Sequence, residues 1–165
     1  MVGRDKVVDL RAAVGPELSL PDALASLRDE IEVVGGSSPT FGFVVEGQER
    51  DIGLLVRDEV FQIAREAVRN AVRHAAAQRI EIELSYGRRG LVLRVRDDGI
   101  GMDDALLSHG RHGHWGLQGM RERSERVDGL LTVWSQPGAG TEIEMTVPAA
   151  TAFGKARRHA GGRRT

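Results

Sequence analysis

The stretch "IEIELSYGRRGLVLRVRDDGIG", residues 80–101, sets two strand patterns back to back. Ile80, Ile82 and Leu84 alternate with Glu81, Glu83 and Ser85; Leu91, Leu93 and Val95 oppose Arg94 and Arg96. "YGRRG" (86–90) between them reads as a hairpin connection. Nearer the end of the chain, Ile143, Met145 and Val147 oppose Glu142, Glu144 and Thr146, preceded by a second hairpin connection, "SQPGAGT" (135–141). Strands covered on both faces are continuously apolar, whereas these keep one charged face each. The pattern predicts an α+β fold: a mixed, mostly antiparallel sheet with helices on one face and water on the other, a two-layer α/β sandwich.

The segments around the strands supply the helices. "SLPDALASLRDEIEVV" (19–34) has Ser19 as a cap, Pro21 and Asp22 in its first turn, and Leu24, Leu27 and Ile31 as a stripe. "FGFVVEG" (41–47) reads as a further strand. A long helix is expected over 53–77, with Leu54, Leu55, Val60, Ile63, Ala64, Ala67, Val68, Ala71 and Val72 on its buried side. "LQGMRERSERVDG" (117–129) reads as a helix stopped at Asp128–Gly129. Residues 102–116, rich in Gly and His, have no period and read as a mobile loop. "RDKVVDLRAAV" (4–14) has helical spacing but begins abruptly, as the end of a longer helix does.

The 165 residues are enough for one domain with a real core. There is no cysteine, hence no disulfide or thiolate site, which fits a cytoplasmic setting. No apolar run approaches a membrane span, and no signal peptide opens the chain, although a parent protein can still be membrane-anchored. Five of the 23 Lys/Arg residues fall in 155–165, so residues 1–154 hold 18 basic against 24 acidic side chains. An acidic body argues against nucleic acid as a partner. The expected organisation is a helix end over 1–14, a domain over 15–150 and a basic, disordered tail over 151–165.

Three motifs carry chemistry. In "REAVRNAVRHA" (65–75), Glu66, Asn70 and His74 are spaced four apart, with Arg73 beside them. An amide oxygen suits a hard cation held mainly by phosphates and water, and a nearby Glu can orient a water; an exposed polar helix face is the alternative. In "RDDGIG" a carboxylate ends a strand, where it can accept from a ligand amino group, and Gly99 and Gly101 let backbone approach a flat ring; an ordinary Asp-Gly turn is the alternative. In "GHWGLQGM" (113–120), glycines lead into a helix start whose amides form an anion site; a flexible linker is the alternative. The spacing fits neither a dinucleotide fingerprint nor a P-loop. Taken together and in order, the three supply the contacts that ATP with Mg²⁺ needs.

Over roughly residues 20–148 the sequence resembles the ATPase superfamily shared by DNA gyrase, heat-shock chaperones, sensor histidine kinases and mismatch-repair proteins, whose Bergerat-type fold is this sandwich. "EAVRNAVRHA" resembles its N box, "DDGIG" the DxGxG box, "GHWGLQGMRER" the second glycine box and "GTEIEMTVP" the closing strand. "GLQGMRER" with a short lid is similar to the histidine-kinase branch whose response regulators carry helix-turn-helix domains. The resemblance implies ATP and Mg²⁺ as cofactors, with Asp97 and Thr141 at the adenine and Gly99 and Gly101 passing it. It implies Asn70 on Mg²⁺ and Glu66 near the metal or its waters, these two being the catalytic pair. It puts Arg73 and His74 on the phosphate side, with the backbone around Gly116, Leu117, Gly119 and Met120 at the phosphates.

By the same resemblance the activity is transfer of the ATP γ-phosphate to a histidine on a separate dimeric helical hairpin, for relay to a response regulator's receiver domain. The parent is then a homodimer and this piece a monomer. None of the five histidines here is followed by an acid, as the phosphoacceptor of that branch usually is, so the acceptor is expected elsewhere. Two other readings stay open: a serine kinase of the anti-sigma-factor type, and a nucleotide-binding module without catalysis that holds a partner.

Overall fold

The computed structural model of the chain describes residues 18–32, 38–103 and 116–154. The helix expected over 4–14, nearly all of the expected loop and the tail beyond 154 lie outside these residues. In chain order the elements are α1 (Leu20–Ala25), α2 (Leu27–Glu32), β1 (Thr40–Glu46), α3 (Leu54–Arg73), β2 (Arg79–Tyr86), β3 (Gly90–Asp97), α4 (Leu117–Glu125), β4 (Leu130–Gln136), β5 (Gly140–Pro148) and α5 (Ala149–Ala152). The last of these lies across the boundary expected at residue 150.

The sheet runs β1-β2-β3-β5-β4, with β1 parallel to β2 and every other neighbour antiparallel. The parallel pair needs a crossover rather than a hairpin, and α3 is that crossover. Register then explains the alternation in the sequence. Leu84, Leu93, Met145 and Leu131 stand in one row across four strands, all buried against the helices. One residue away on the opposite face, Glu83, Arg94, Glu144 and Thr132 stand in the neighbouring row. Arg94 donates to Glu83 at 2.9 Å and to Glu144 at 2.6 Å, and that pairing, Glu144 first, raises its pKa. Arg96 pairs with Glu142 beside it.

Three expectations about the helices need correction. The segment 19–34 is two helices, because Ser26 ends the first: its hydroxyl donates to Ala23 O at 2.6 Å, offering the backbone an alternative to continuing. Ser19 does cap the first, accepting from Asp22 N. The long helix stops at Arg73 rather than 77; His74 and Ala75 N–H both turn back to Asn70 O, and Ala76 takes a positive φ of 47°. Leu54 and Leu55 are 64 % and 56 % exposed, not buried. At 3.6 residues per turn Leu55 lies roughly 140° round the helix from Val60, off the stripe that Val56, Val60, Ile63, Ala64, Ala67, Val68 and Ala71 carry into the core.

Three ion pairs among the described residues tie α3 to its neighbours. Arg65 donates to Glu30 of α2 at 3.0 Å, and the buried Glu59 accepts from Arg123 and Arg126 at the far end of α4, at 3.2 and 3.4 Å. The two faces of the sheet are expected to respond differently to truncation. Leu93→Ala should cost about 2–5 kcal/mol in urea unfolding because its cavity cannot collapse, whereas Arg94→Met should cost under about 1 kcal/mol because its pairs are partly exposed.

Candidate functional site

The adjacent acids that end β3 do different work. Asp98 is exposed and caps the start of β2: its Oδ1 accepts from Gln78 N and Arg79 N, both at 2.8 Å, which holds its carboxyl below the usual range. Asp97 turns inward, opposite Ile80 on β2 and Thr141 on β5. Burial raises its pKa, and the backbone amides of Gly99 and Thr141, which donate to it, hold the rise in check. A carboxylate half-withdrawn from water, with two amides fixing it and lone pairs to spare, is poised to accept from a ligand.

The glycines beside it have an internal reason to be glycine. A Cβ on Gly99 would lie 2.5 Å from Ala75 Cβ, and one on Gly101 would lie 2.7 Å from the carbonyl carbon of Gln136. Gly101 also has φ of 71°. Two hydrogen bonds pin the same turn on both sides: Ile100 N to Ala75 O at 2.9 Å, and Gly138 N to Ile100 O at 2.7 Å.

On α3, Asn70 is buried (7 % exposed) one turn after the half-buried Glu66, while Arg73 and His74 are exposed at the helix end. The predicted common face therefore holds for Glu66 and Asn70 but opens to solvent at His74, which closes the helix with φ of −114°. Gly116 precedes α4 in the left-handed region, and a Cβ there would meet Glu66 Oε1 at 2.5 Å. Met120 N–H is spent on Gly116 O at 3.0 Å and its side chain is buried. The first-turn amides at 117–119 are therefore the ones whose partners must come from outside the helix. Gly119 sits inside that turn, exposed, with open space where a side chain would be.

Sequence reasoning passed over Ser135, reading it as part of a hairpin connection. Its hydroxyl accepts from Met102 N at 2.7 Å, contacts Thr141 Oγ1 at 2.7 Å and lies 3.0 Å from Gly140 O. A cavity of about 480 Å³ at this end of the sheet is lined by Asp97, Ser135 and Thr141 together with Arg96 and Trp134 from the outer face.

A mixed open sheet with helices on one face, and a carboxylate, an amide and a glycine-led helix start gathered along one helix, define an ATPase-type sandwich. The chain belongs to the histidine kinase-, DNA gyrase B- and HSP90-like ATPase family, whose model matches residues 55–151. It is 32% identical over 151 residues, 88% of its length, to a sensor-like histidine kinase of Chloroflexus aurantiacus, and 36% identical over 103 residues to the sensor histidine kinase LiaS of Bacillus subtilis, 61% of its length. It spans 25% and 27% of those two proteins. Among solved structures, the histidine kinase domain of the Erythrobacter litoralis EL346 blue-light activated histidine kinase superposes with a TM-score of 0.65 at 20% identity, covering 81% of this chain and 67% of that one. The ATP binding domain of PrrB from Mycobacterium tuberculosis superposes at 0.58, with 16% identity, over 79% of this chain and 94% of that one. Those two likenesses establish the fold. No helix among the described residues is long and apolar enough to cross a membrane.

The two aspartates should separate in a stability experiment. Folding raises the pKa of Asp97, so its ionised form opposes folding at neutral pH; Asp97→Asn should leave the melting temperature at pH 7 unchanged or raised. Folding lowers the pKa of Asp98, so its contribution is present above the ordinary carboxylate range and lost as pH falls through the lowered value. Asp98→Asn should therefore melt lower than wild type at pH 7, and the gap should shrink towards pH 3.

Proposed function

We propose that this chain is the ATP-binding catalytic part of a sensor histidine kinase, and that the cleft between α3 and the ends of β3 and β5 holds the nucleotide. One observation carries the reading. Two glycine segments far apart in sequence close on α3 and the residues just past its end, Gly116 against Glu66 and Gly99 against Ala75, with Asn70 between. Motifs that could each be an ordinary turn or linker thereby become walls of one cleft.

In this reading Asp97 and Thr141 accept from the amino edge of adenine, and Gly99 and Gly101 flank the ring. Glu66 and Asn70 offer a carboxylate and an amide oxygen, hard donors that fit Mg²⁺. Among the described residues no three His, Asp or Glu side chains cluster as metal ligands, and in this reading phosphate oxygens and water complete the shell. Mg²⁺, when bound, neutralises the phosphate charge. The amides at 117–119 face phosphate oxygens, with Arg73 and His74 at the exposed rim. Phosphoryl transfer needs position and charge stabilisation far more than covalent chemistry from the protein. The acceptor histidine comes from a helical hairpin of the parent kinase, a homodimer, and the phosphate passes to a receiver domain; this piece is a cytoplasmic monomer.

Calorimetry with ATP tests the reading. Asp97→Asn should weaken binding by roughly one to two orders of magnitude, since hydrogen bonds to a charged group are worth about 1.5–3 kcal/mol; unchanged affinity would remove Asp97 from its role. Asn70→Ala should retain much of the binding but lose its Mg²⁺ dependence and the transfer to a supplied hairpin domain.

A further inference from the structure

Ser135 stands on β4, opposite Thr141 and with β5 between it and the aspartate, and its hydrogen bonds bear on what Thr141 can do. A hydroxyl has one proton and two acceptor lone pairs. Met102 N–H, at 2.7 Å, takes one lone pair of Ser135 Oγ. Gly140 O, a carbonyl that can only accept, lies 3.0 Å from Ser135 Oγ and offers its proton a partner. The 2.7 Å contact between Ser135 Oγ and Thr141 Oγ1 is open to either donor, and with the Ser135 proton on Gly140 O it is Thr141 that donates. The hydroxyl of Thr141, buried at 8 % exposure, then has no proton left for the cleft and can present lone pairs only.

We infer that Ser135 spends its proton on Gly140 O and is thereby a positioning residue for base selection: by accepting the Thr141 proton it makes Thr141 an obligate acceptor beside the Asp97 carboxylate. The inference rests on the nucleotide reading above and deepens it. A purine 6-amino group brings two N–H donors to a pair of acceptors, Asp97 and Thr141. A 6-oxo group brings only lone pairs, and an acceptor facing an acceptor leaves both without a partner, a loss that outweighs the gain of any single correct bond. Were the Thr141 hydroxyl free to turn, it could donate to the oxo group and the discrimination would soften. The same serine anchors the Met102 amide, so the base end of the cleft and the residue that follows Gly101 share one hydroxyl.

The experiment compares ATP with inosine triphosphate, which has a 6-oxo group and an N1–H in place of the 6-amino group and bare N1, by calorimetry on the wild type, Ser135→Ala, Thr141→Ser and Thr141→Val; the N1–H is common to every variant, so the change in ratio on Ser135→Ala reports the 6-position. Wild type should prefer ATP. Ser135→Ala should narrow that preference by roughly three- to tenfold, chiefly by improving inosine triphosphate binding. Thr141→Ser should keep the wild-type ratio, and Thr141→Val should narrow it without improving the inosine nucleotide. A Ser135→Ala ratio equal to wild type, or both affinities falling by one common factor, would overturn the inference while leaving the nucleotide reading intact. A wild type that binds neither nucleotide would overturn both.

Discussion

At the end of β3 the backbone of the DDGIG turn lies against the backbone of two other elements, with no room for a side chain between. Gly99 rests on Ala75, just past α3, and Gly101 rests on Gln136 at the end of β4. Gly140 extends the contact from the other side: a Cβ there would sit 3.0 Å from the carbonyl carbon of Asp97, and its φ is 82°. This approach brings the last strand residue, the end of the long helix and the β4–β5 turn into one corner. Asp97 keeps its orientation because the amides of Gly99 and Thr141 donate to its carboxylate, and the turn that carries Gly99 is itself pinned by amide-to-carbonyl bonds.

The remaining architecture serves that corner. The inward rows of Leu84, Leu93, Met145 and Leu131 fix the sheet against α3, and a one-residue slip would carry the apolar rows to the charged face. Along α3, Glu59 and Glu66 are seven residues apart, as are Arg123 and Gly116 on α4, and the pairs meet end to end. The two helices therefore run side by side in opposite directions, each spanning about 10 Å between the contacts at the rise of an α-helix. Glu59 secures one end, and the close approach of Gly116 to Glu66 sets the other, where the first-turn amides lie.

Much of this was legible in the sequence because the informative pattern has a period of two. Alternating Ile, Glu, Leu and Arg residues could face only one layer of helices, and the strand order followed from register that a sequence does not display. The parallel β1–β2 pair left no local signal, since its crossover is the whole of α3. The break at Ser26 was hidden because a serine is tolerated in mid-helix unless its hydroxyl turns back on the chain. Leu54 and Leu55 misled because apolar identity was read without regard to angle around the helix. At the site, Asp97, Asn70 and Glu66 stood out as residue types in unusual places. Ser135 did not: a serine before a Pro-Gly turn is common, and only the three partners that converge on its oxygen distinguish it. The glycines were noticed for a ligand ring, but a sequence could not reveal that they are needed first by the chain's own backbone.

The central claim, that one cleft joins the Asp97 corner to the α4 start across Asn70, is tested most directly by nuclear magnetic resonance of the isotopically labelled chain during titration with Mg²⁺–ATP. The account predicts that the amides of Gly99, Met102 and Thr141 and those of Leu117, Gln118 and Gly119 shift together along one binding curve, while the outer-face amides of Glu83, Arg94 and Glu144 stay in place. Shifts confined to the outer face, or none at saturating nucleotide, would contradict it.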